Sequence, residues 1–246
     1  MVLQRGRWCG ICGTVAINSV KDADIVMSTG EMQKEMLTVR LWLRRKISIC
    51  LYGRIRTEVL KFRPELLFIP VLLPIFLLKI EDADVWRTEA WEMIRQRSDL
   101  HFLMITKRIN RVMECLPVDW KDGYDNVTIC CTVENQLCAD NRLPVYRAIP
   151  IKHKIIICEP LLEEISLDAY NIGEWVEQVV AGGESGYEAR ICNFDWIMKL
   201  HDICLENNVS FWFKQTGSKF VKEGTLYTVK RQFQHSQARK AGINFK

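Results

Sequence analysis

The sequence predicts an α/β fold built on a parallel sheet, and three observations predict it. From Glu81 onward, short apolar runs alternate with amphipathic stretches. These runs are apolar at nearly every position rather than at alternate ones, as strands covered on both faces are. They recur about every 25 residues, which leaves room for one crossover per strand, and no hairpin signal separates them. Parallel βα units in series build either an open doubly wound sheet or part of a (β/α) barrel.

The elements follow in order. Asp82 and Asp84 cap a helix through Trp86, Ala90, Trp91 and Ile94, whose spacing gathers the aromatic and aliphatic groups on one face. Leu100 to Ile105 reads as the first strand, and Val127 to Val133, Lys154 to Cys158, Val176 to Ala181 and Val209 to Phe213 as the next four. Helices begin near Asn135, Leu167 and Asn193, the last carrying Trp196, Ile197, Leu200, Ile203 and Cys204 at helical spacing.

Composition bounds the rest. A chain of 246 residues, 48% hydrophobic and 26% charged, forms a sizeable core and is neither disordered nor a small disulfide-stapled scaffold. A net charge of +4 is too small to mark a nucleic-acid protein without clustering. Ten cysteines behind no signal-peptide pattern point to a reducing, cytoplasmic setting.

Polar residues gather immediately after the strands, where parallel α/β folds place their chemistry. Thr106, Lys107 and Arg108 follow the first strand, and Glu134 and Asn135 the second. Glu159 and Pro160 follow Cys158 at the end of the third; Gly182, Gly183, Glu184 and Ser185 follow the fourth; Lys214 and Gln215 follow the fifth. Such a rim suits a small-molecule or nucleotide ligand. Singly, each residue is better explained as a helix cap or loop charge; the five strand ends in register bring the two readings level. Gly182-Gly183 fits either a backbone approach to a ligand or a tight turn.

The segments FLMITKR (Phe102 to Arg108), VTICCTVENQ (Val127 to Gln136), ICEPLL (Ile157 to Leu162), VVAGGESG (Val179 to Gly186) and FWFKQTG (Phe211 to Gly217) carry a resemblance. In this order and spacing they resemble the phage-associated Gp thirty-seven/Gp sixty-eight family, a domain of unknown function related to radical-SAM barrels. The resemblance implies a partial parallel barrel whose strand ends bind a four-iron, four-sulfur cluster and S-adenosylmethionine. It supplies no reaction.

The family's N-terminal cysteine motif, W-N-x-W-x-G-C followed by G-C-x-x-C-Y, is missing. Cys9 and Cys12 form a C-x-x-C without a third thiol nearby, and Cys50 stands alone. Three thiolates are needed to hold such a cluster with one iron open. No metal ligand set is therefore assigned. The genetic code offers an explanation. Joining the last base of each codon to the first two of the next, Cys9-Gly10 permits Trp, Gly10-Ile11 Asn, Cys12-Gly13 Trp, Thr14-Val15 Gly and Val15-Ala16 Cys. Continued to Ser28, one permitted string is WNLWHGCHKLSEGCRHCYVY, which contains the motif without a gap. The region from Trp8 to Leu78 thus reads as out of frame, bounded by compensating shifts, with cluster binding impaired as written.

This divides the chain into an irregular segment 1–78, a barrel portion 79–229 and a basic C-terminal tail 230–246. Within the first segment the apolar run Leu66 to Leu78 is too short and too proline-broken for a membrane span. Its basic run from Arg40 to Arg63 carries no selected function if the frame is displaced. The tail holds Lys230, Arg231, His235, Arg239 and Lys240 without an acid, which suits a solvated tail first and phosphate or nucleic acid second. His101, His153, His201 and His235 show no paired spacing for a metal. No nucleophile elbow supports a hydrolase. Two classes remain: an S-adenosylmethionine-dependent enzyme, or a non-catalytic barrel-type binding module.

Overall fold

A computed structural model describes residues 69–71 and 81–246. Cys9, Cys12, Cys50 and the basic run from Arg40 to Arg63 lie outside the described residues. Among the described residues the main sheet has six parallel strands in the order of the chain. They are β1 (Ile69–Val71), β2 (Phe102–Thr106), β3 (Val127–Thr132), β4 (His153–Cys158), β5 (Gln178–Gly182) and β7 (Ser210–Gln215). A second sheet joins β6 (Ile191–Asn193), β8 (Lys219–Lys222) and β9 (Thr225–Thr228). Its β6 and β8 are parallel, and β8 and β9 antiparallel. The chain is therefore mixed α/β, as its periodicity predicts.

Register sorts the side chains of the main sheet. Phe102 lies beside Val127, Met104 beside Ile129, Cys131 beside Ile156, Ile156 beside Val179, and Val179 beside Phe211. Because alternate residues share a face, these line one side, and all belong to the main core. Helix α1 (Glu81–Gln96) adds Trp91 and Ile94 to that core, α3 (Gln136–Ala148) adds Ala139, Leu143 and Tyr146, and α4 (Phe194–Glu206) adds Ile197, Leu200 and Cys204. Each large apolar side chain removed from water contributes roughly 1.5–3 kcal/mol before the opposing entropy is subtracted. Tyr146 is fully buried and keeps its hydroxyl satisfied: it receives the Ile155 N–H at 2.9 Å and donates to the Ile129 carbonyl. Strand β3 is buried at every residue, which is why it reads as an unbroken apolar run.

Four expectations need correction. Helix α1 spans Glu81–Gln96, so Asp82 and Asp84 fall within its first turn rather than ahead of it. The helix expected near Leu167 is two 3-10 turns, Asp168–Tyr170 and Ile172–Glu174. Asn171 between them takes a left-handed conformation (φ 49°) that no α-helix continues through. The crossover after β2 is also short, a 3-10 turn leading into the four-residue helix α2 (Val112–Cys115). Residues 230–246, expected as a solvated tail, hold helix α5 (Arg231–Lys240), which buries Gln234 and Ala238. Phe245 then bridges to Phe211 of β7, with backbone bonds of 3.0 and 3.1 Å.

Strand β1 lies within the segment expected to be irregular. Its sequence Ile-Pro-Val is apolar and β-branched at its ends, and it is the outermost of the described strands, a position that accommodates Pro70, which lacks an N–H. Among the described residues no helix is long and apolar enough to cross a membrane.

Candidate strand-end site

The C-terminal ends of the parallel strands carry charges of both signs, lysines after β2 and at the end of β7 and glutamates after β3, β4 and β5. Lys107 and Glu134 continue the parity of the sheet face opposite the helices, as do Glu159 and Lys214. Lys107 Nζ pairs with Glu134 Oε1, and Arg142 Nη1, reaching up from α3, donates to Glu134 Oε2 at 2.6 Å. The same guanidinium nitrogen donates to the Thr132 carbonyl at 2.6 Å. Lys214 Nζ meets Glu159 Oε2 at 2.7 Å, and Gln215 Nε2 donates to the other oxygen of that carboxylate. Arg190 clasps Glu184 with both Nε and Nη2 at 2.8 Å, while its backbone N–H donates to the same carboxylate at 2.9 Å.

The electrostatics follow from these partners. Burial pushes the Glu134 carboxyl up, but Lys107 and Arg142 together outweigh it, and the net shift is downward. Glu184 is lowered first by its hydrogen bond to Arg190, against the cost of burial, with Lys107 contributing at longer range. Both carboxylates therefore stay ionised beside cations. The rim is a set of fixed charges of both signs, able to orient a ligand bearing an ammonium or sulfonium at one end and a carboxylate or phosphate at the other.

Other residues expected at the site have architectural roles. Thr106 is buried on the helix side and accepts the Arg108 N–H at 2.9 Å, tightening the turn after β2. Asn135 is the N-cap of α3, accepting the Cys138 N–H at 2.8 Å. Gly183 is required by a close approach to the chain's own backbone, since a Cβ there would lie 2.2 Å from the Thr216 carbonyl oxygen. Its N–H is bonded to the Gln215 carbonyl at 3.0 Å. Gly183 takes no positive φ, so what requires glycine here is the packing of two strand ends and not a tight turn. Gly182 is also confined, with Gln215 and Glu159 atoms 3.3–3.4 Å from where its Cβ would sit. Ser185 donates to Gln234 of α5 at 2.5 Å and so ties this loop to the C-terminal helix. Arg108 is exposed and has no ion-pair partner among the described residues.

Sequence reasoning misses Arg142 and Arg190. Each lies several residues beyond a strand end and meets its acid only through the fold. The sole local hint is the eight-residue step from Glu134 to Arg142, which places the arginine two helical turns along α3.

Six of the seven described cysteines do not suit an iron–sulfur cluster, and the seventh, Cys138, is partly buried on α3. Cys115, Cys130, Cys131, Cys158, Cys192 and Cys204 are all buried. Burial pushes the thiols of Cys131, Cys192 and Cys204 up to about 12, and those of Cys130 and Cys158 further. Thiolate is the ligating form, so these groups act as small hydrophobes. No group of three or more His, Cys, Asp or Glu among the described residues is arranged to hold a metal ion.

Comparison with known proteins adds a family. Residues 18–244 match the model for a protein of unknown function, DUF5131. The chain belongs to this DUF5131 family. No curated protein and no solved structure matches it.

Proposed function

We propose that this DUF5131 chain is a partial (β/α) barrel whose strand-end rim binds a small ligand carrying charges of both signs. The resemblance to radical-SAM barrels makes S-adenosylmethionine the ligand of choice, with its sulfonium and ammonium directed to Glu159 and Glu134 and its carboxylate to Lys214 or Lys107. One observation carries the reading: three carboxylates interleaved with Lys107, Arg142, Arg190 and Lys214 at the same end of the parallel strands. The strand order supports the barrel. Right-handed crossovers that always advance to the next position in the sheet put every helix on one face and leave the other as a barrel interior. A doubly wound sheet reverses direction at a switch point, and none occurs among the described strands.

Radical chemistry is a further part of the proposal, as are the phage-associated origin and a cytoplasmic setting. Seven free cysteines among the described residues support a reducing compartment. A bound cluster would supply the electron that cleaves S-adenosylmethionine. The six buried thiols do not fit that group. We infer that the cluster motif lies in a displaced frame over the first 78 residues and that the polypeptide as written is impaired in cluster binding, so that it binds its ligand without radical chemistry until the frame is restored. The matched residues 18–244 include much of that segment, and sequencing the locus decides between frame displacement and a divergent N-terminus.

Anaerobic reconstitution with iron and sulfide tests the radical part. The chain as written should bind no stable cluster, and the frame-restored chain should take up about four irons. Stable uptake by the chain as written would place the ligands among its own cysteines and overturn the displaced-frame account. A colourless restored chain would overturn the cofactor assignment.

A further inference from the structure

The N-terminal ends of the strands, opposite the charged rim, hold a second polar cluster. His101 stands immediately before β2, Thr128 is the second residue of β3, His153 the first of β4, and Glu177 immediately precedes β5. Thr128 lies beside both Leu103 and His153, and His101 is two residues before Leu103. The two imidazoles and the threonine therefore share the sheet face opposite the helices. The histidines are far apart in sequence, and only the order of β2, β3 and β4 brings them together.

Each ring is held through one nitrogen and open at the other. His101 Nε2 lies 2.8 Å from the hydroxyl of the buried Thr128, and His153 Nδ1 lies 2.7 Å from Glu177 Oε1. His101 Nδ1 and His153 Nε2 have no hydrogen-bond partner among the described residues, and neither is sealed from solvent. A metal-bound histidine characteristically has its other nitrogen fixed by a carboxylate or another acceptor, which sets the tautomer and the ring orientation. Glu177 and Thr128 fill those places here. The two ring centroids are 5.6 Å apart. Imidazoles that share a tetrahedral ion, each nitrogen about 2.1 Å from it, have their ring centres roughly 5 Å apart.

We propose that His101 Nδ1 and His153 Nε2 together bind a borderline divalent ion of the zinc class, with water completing its coordination. Neutral imidazole is the main form at neutral pH, and it suits zinc, nickel or copper, whereas magnesium and calcium take oxygen ligands. Glu177 is engaged by His153 Nδ1, so two side chains hold the ion and the carboxylate steadies one of them. The ion links β2 to β4 across β3 and fastens the sheet at the end where parallel barrels place stability, not chemistry. The site is separate from the strand-end rim and does not depend on its ligand.

Isothermal titration calorimetry of the full chain with zinc chloride, under reducing conditions, tests it. Thiols elsewhere in the chain can also take zinc, so variants assign the site. The native chain should take up one equivalent that His101→Gln/His153→Gln lacks and that Cys9→Ser/Cys12→Ser keeps. His101→Gln and His153→Gln singly should each weaken this binding at least tenfold, a second reading should the double variant fail to fold. Glu177→Gln should weaken it about tenfold, as loss of the carboxylate behind a metal-bound histidine does. Zinc should raise the melting temperature of the native chain and not that of the histidine variants. Cobalt(II) in the site should show visible d–d bands without thiolate charge transfer, and millimolar magnesium should not compete. Equal zinc stoichiometry and affinity in the native chain and the folded histidine variants overturns the proposal. So does loss of the site in Cys9→Ser/Cys12→Ser, or no zinc uptake by the native chain.

Discussion

At the scale of single residues, the structure separates charges that belong to the rim from those held in the core. Glu134 is largely buried between Lys107 and Arg142. Its folded carboxyl titrates lower than it does in the unfolded chain. Its stabilising contribution is therefore complete above the unfolded value of about 4.3 and is lost as pH falls through the folded value. Glu134→Gln should cost about 2 kcal/mol at neutral pH and flatten the acid limb of a urea-denaturation pH profile. Lys154 has the opposite sign. Burial pushes it down to about 8, with Arg147 adding repulsion, while its Nζ donates to the Arg147 carbonyl at 2.8 Å and lies over the Tyr146 and Trp175 rings. Between about 8 and the unfolded value the unfolded chain binds the extra proton, so this group makes stability rise with pH. Lys154→Met should remove that rise and leave the protein at least as stable at pH 7, measured by denaturant midpoints across pH. Neither role is legible in the sequence: Lys154 reads as the polar start of a strand, and its register beside Ile129 on the core face is fixed only by pairing.

At the scale of elements, strand positions were legible because a fully buried strand writes itself as an unbroken apolar run, as β3 and β4 do. What replaces a helix was not. The crossover after β4 turns on Asn171 in a left-handed conformation and on Gly173, where a Cβ would meet the Asn207 carbonyl oxygen at 2.6 Å, a contact far away in sequence. The β8–β9 hairpin was not legible either: it turns on Glu223 and Gly224, both with positive φ, and Glu-Gly is a weak form of the usual Asn-Gly pair. Glycine separates two physical cases. Gly183→Ala drives a Cβ into the Thr216 backbone and should cost about 3 kcal/mol or more. Gly186→Ala meets no atom within 4 Å and bears only the strain of its positive φ, about 1 kcal/mol. Thermal melts of the two variants should show Gly183→Ala as clearly the less stable; equal melting temperatures would refute the close packing of the β5 and β7 ends.

At the scale of the whole molecule, the C-terminal segment closes the fold. Gln234 is fully buried and donates to the Ser218 hydroxyl at 3.0 Å and the Val229 carbonyl at 3.1 Å, while Phe245 pairs with Phe211. Truncation after Val229 should expose Phe211 and the Ser218 network and give an aggregating or far less stable chain, read by size-exclusion chromatography and melting. Sequence alone placed polar residues after each strand, where the ends of parallel strands come together by geometry. It did not foresee which polar residues stay at the rim and which become caps and turns, because those choices depend on contacts such as Arg142 to Glu134 that pattern does not encode. The central claim is that the rim holds a small ligand with charges of both signs, and isothermal titration calorimetry of the full chain with S-adenosylmethionine tests it most directly. The account predicts one saturable site, weakened at least tenfold by Glu159→Gln and by Lys214→Glu with the fold intact. An absence of binding, or equal binding by the native chain and both folded variants, would contradict it.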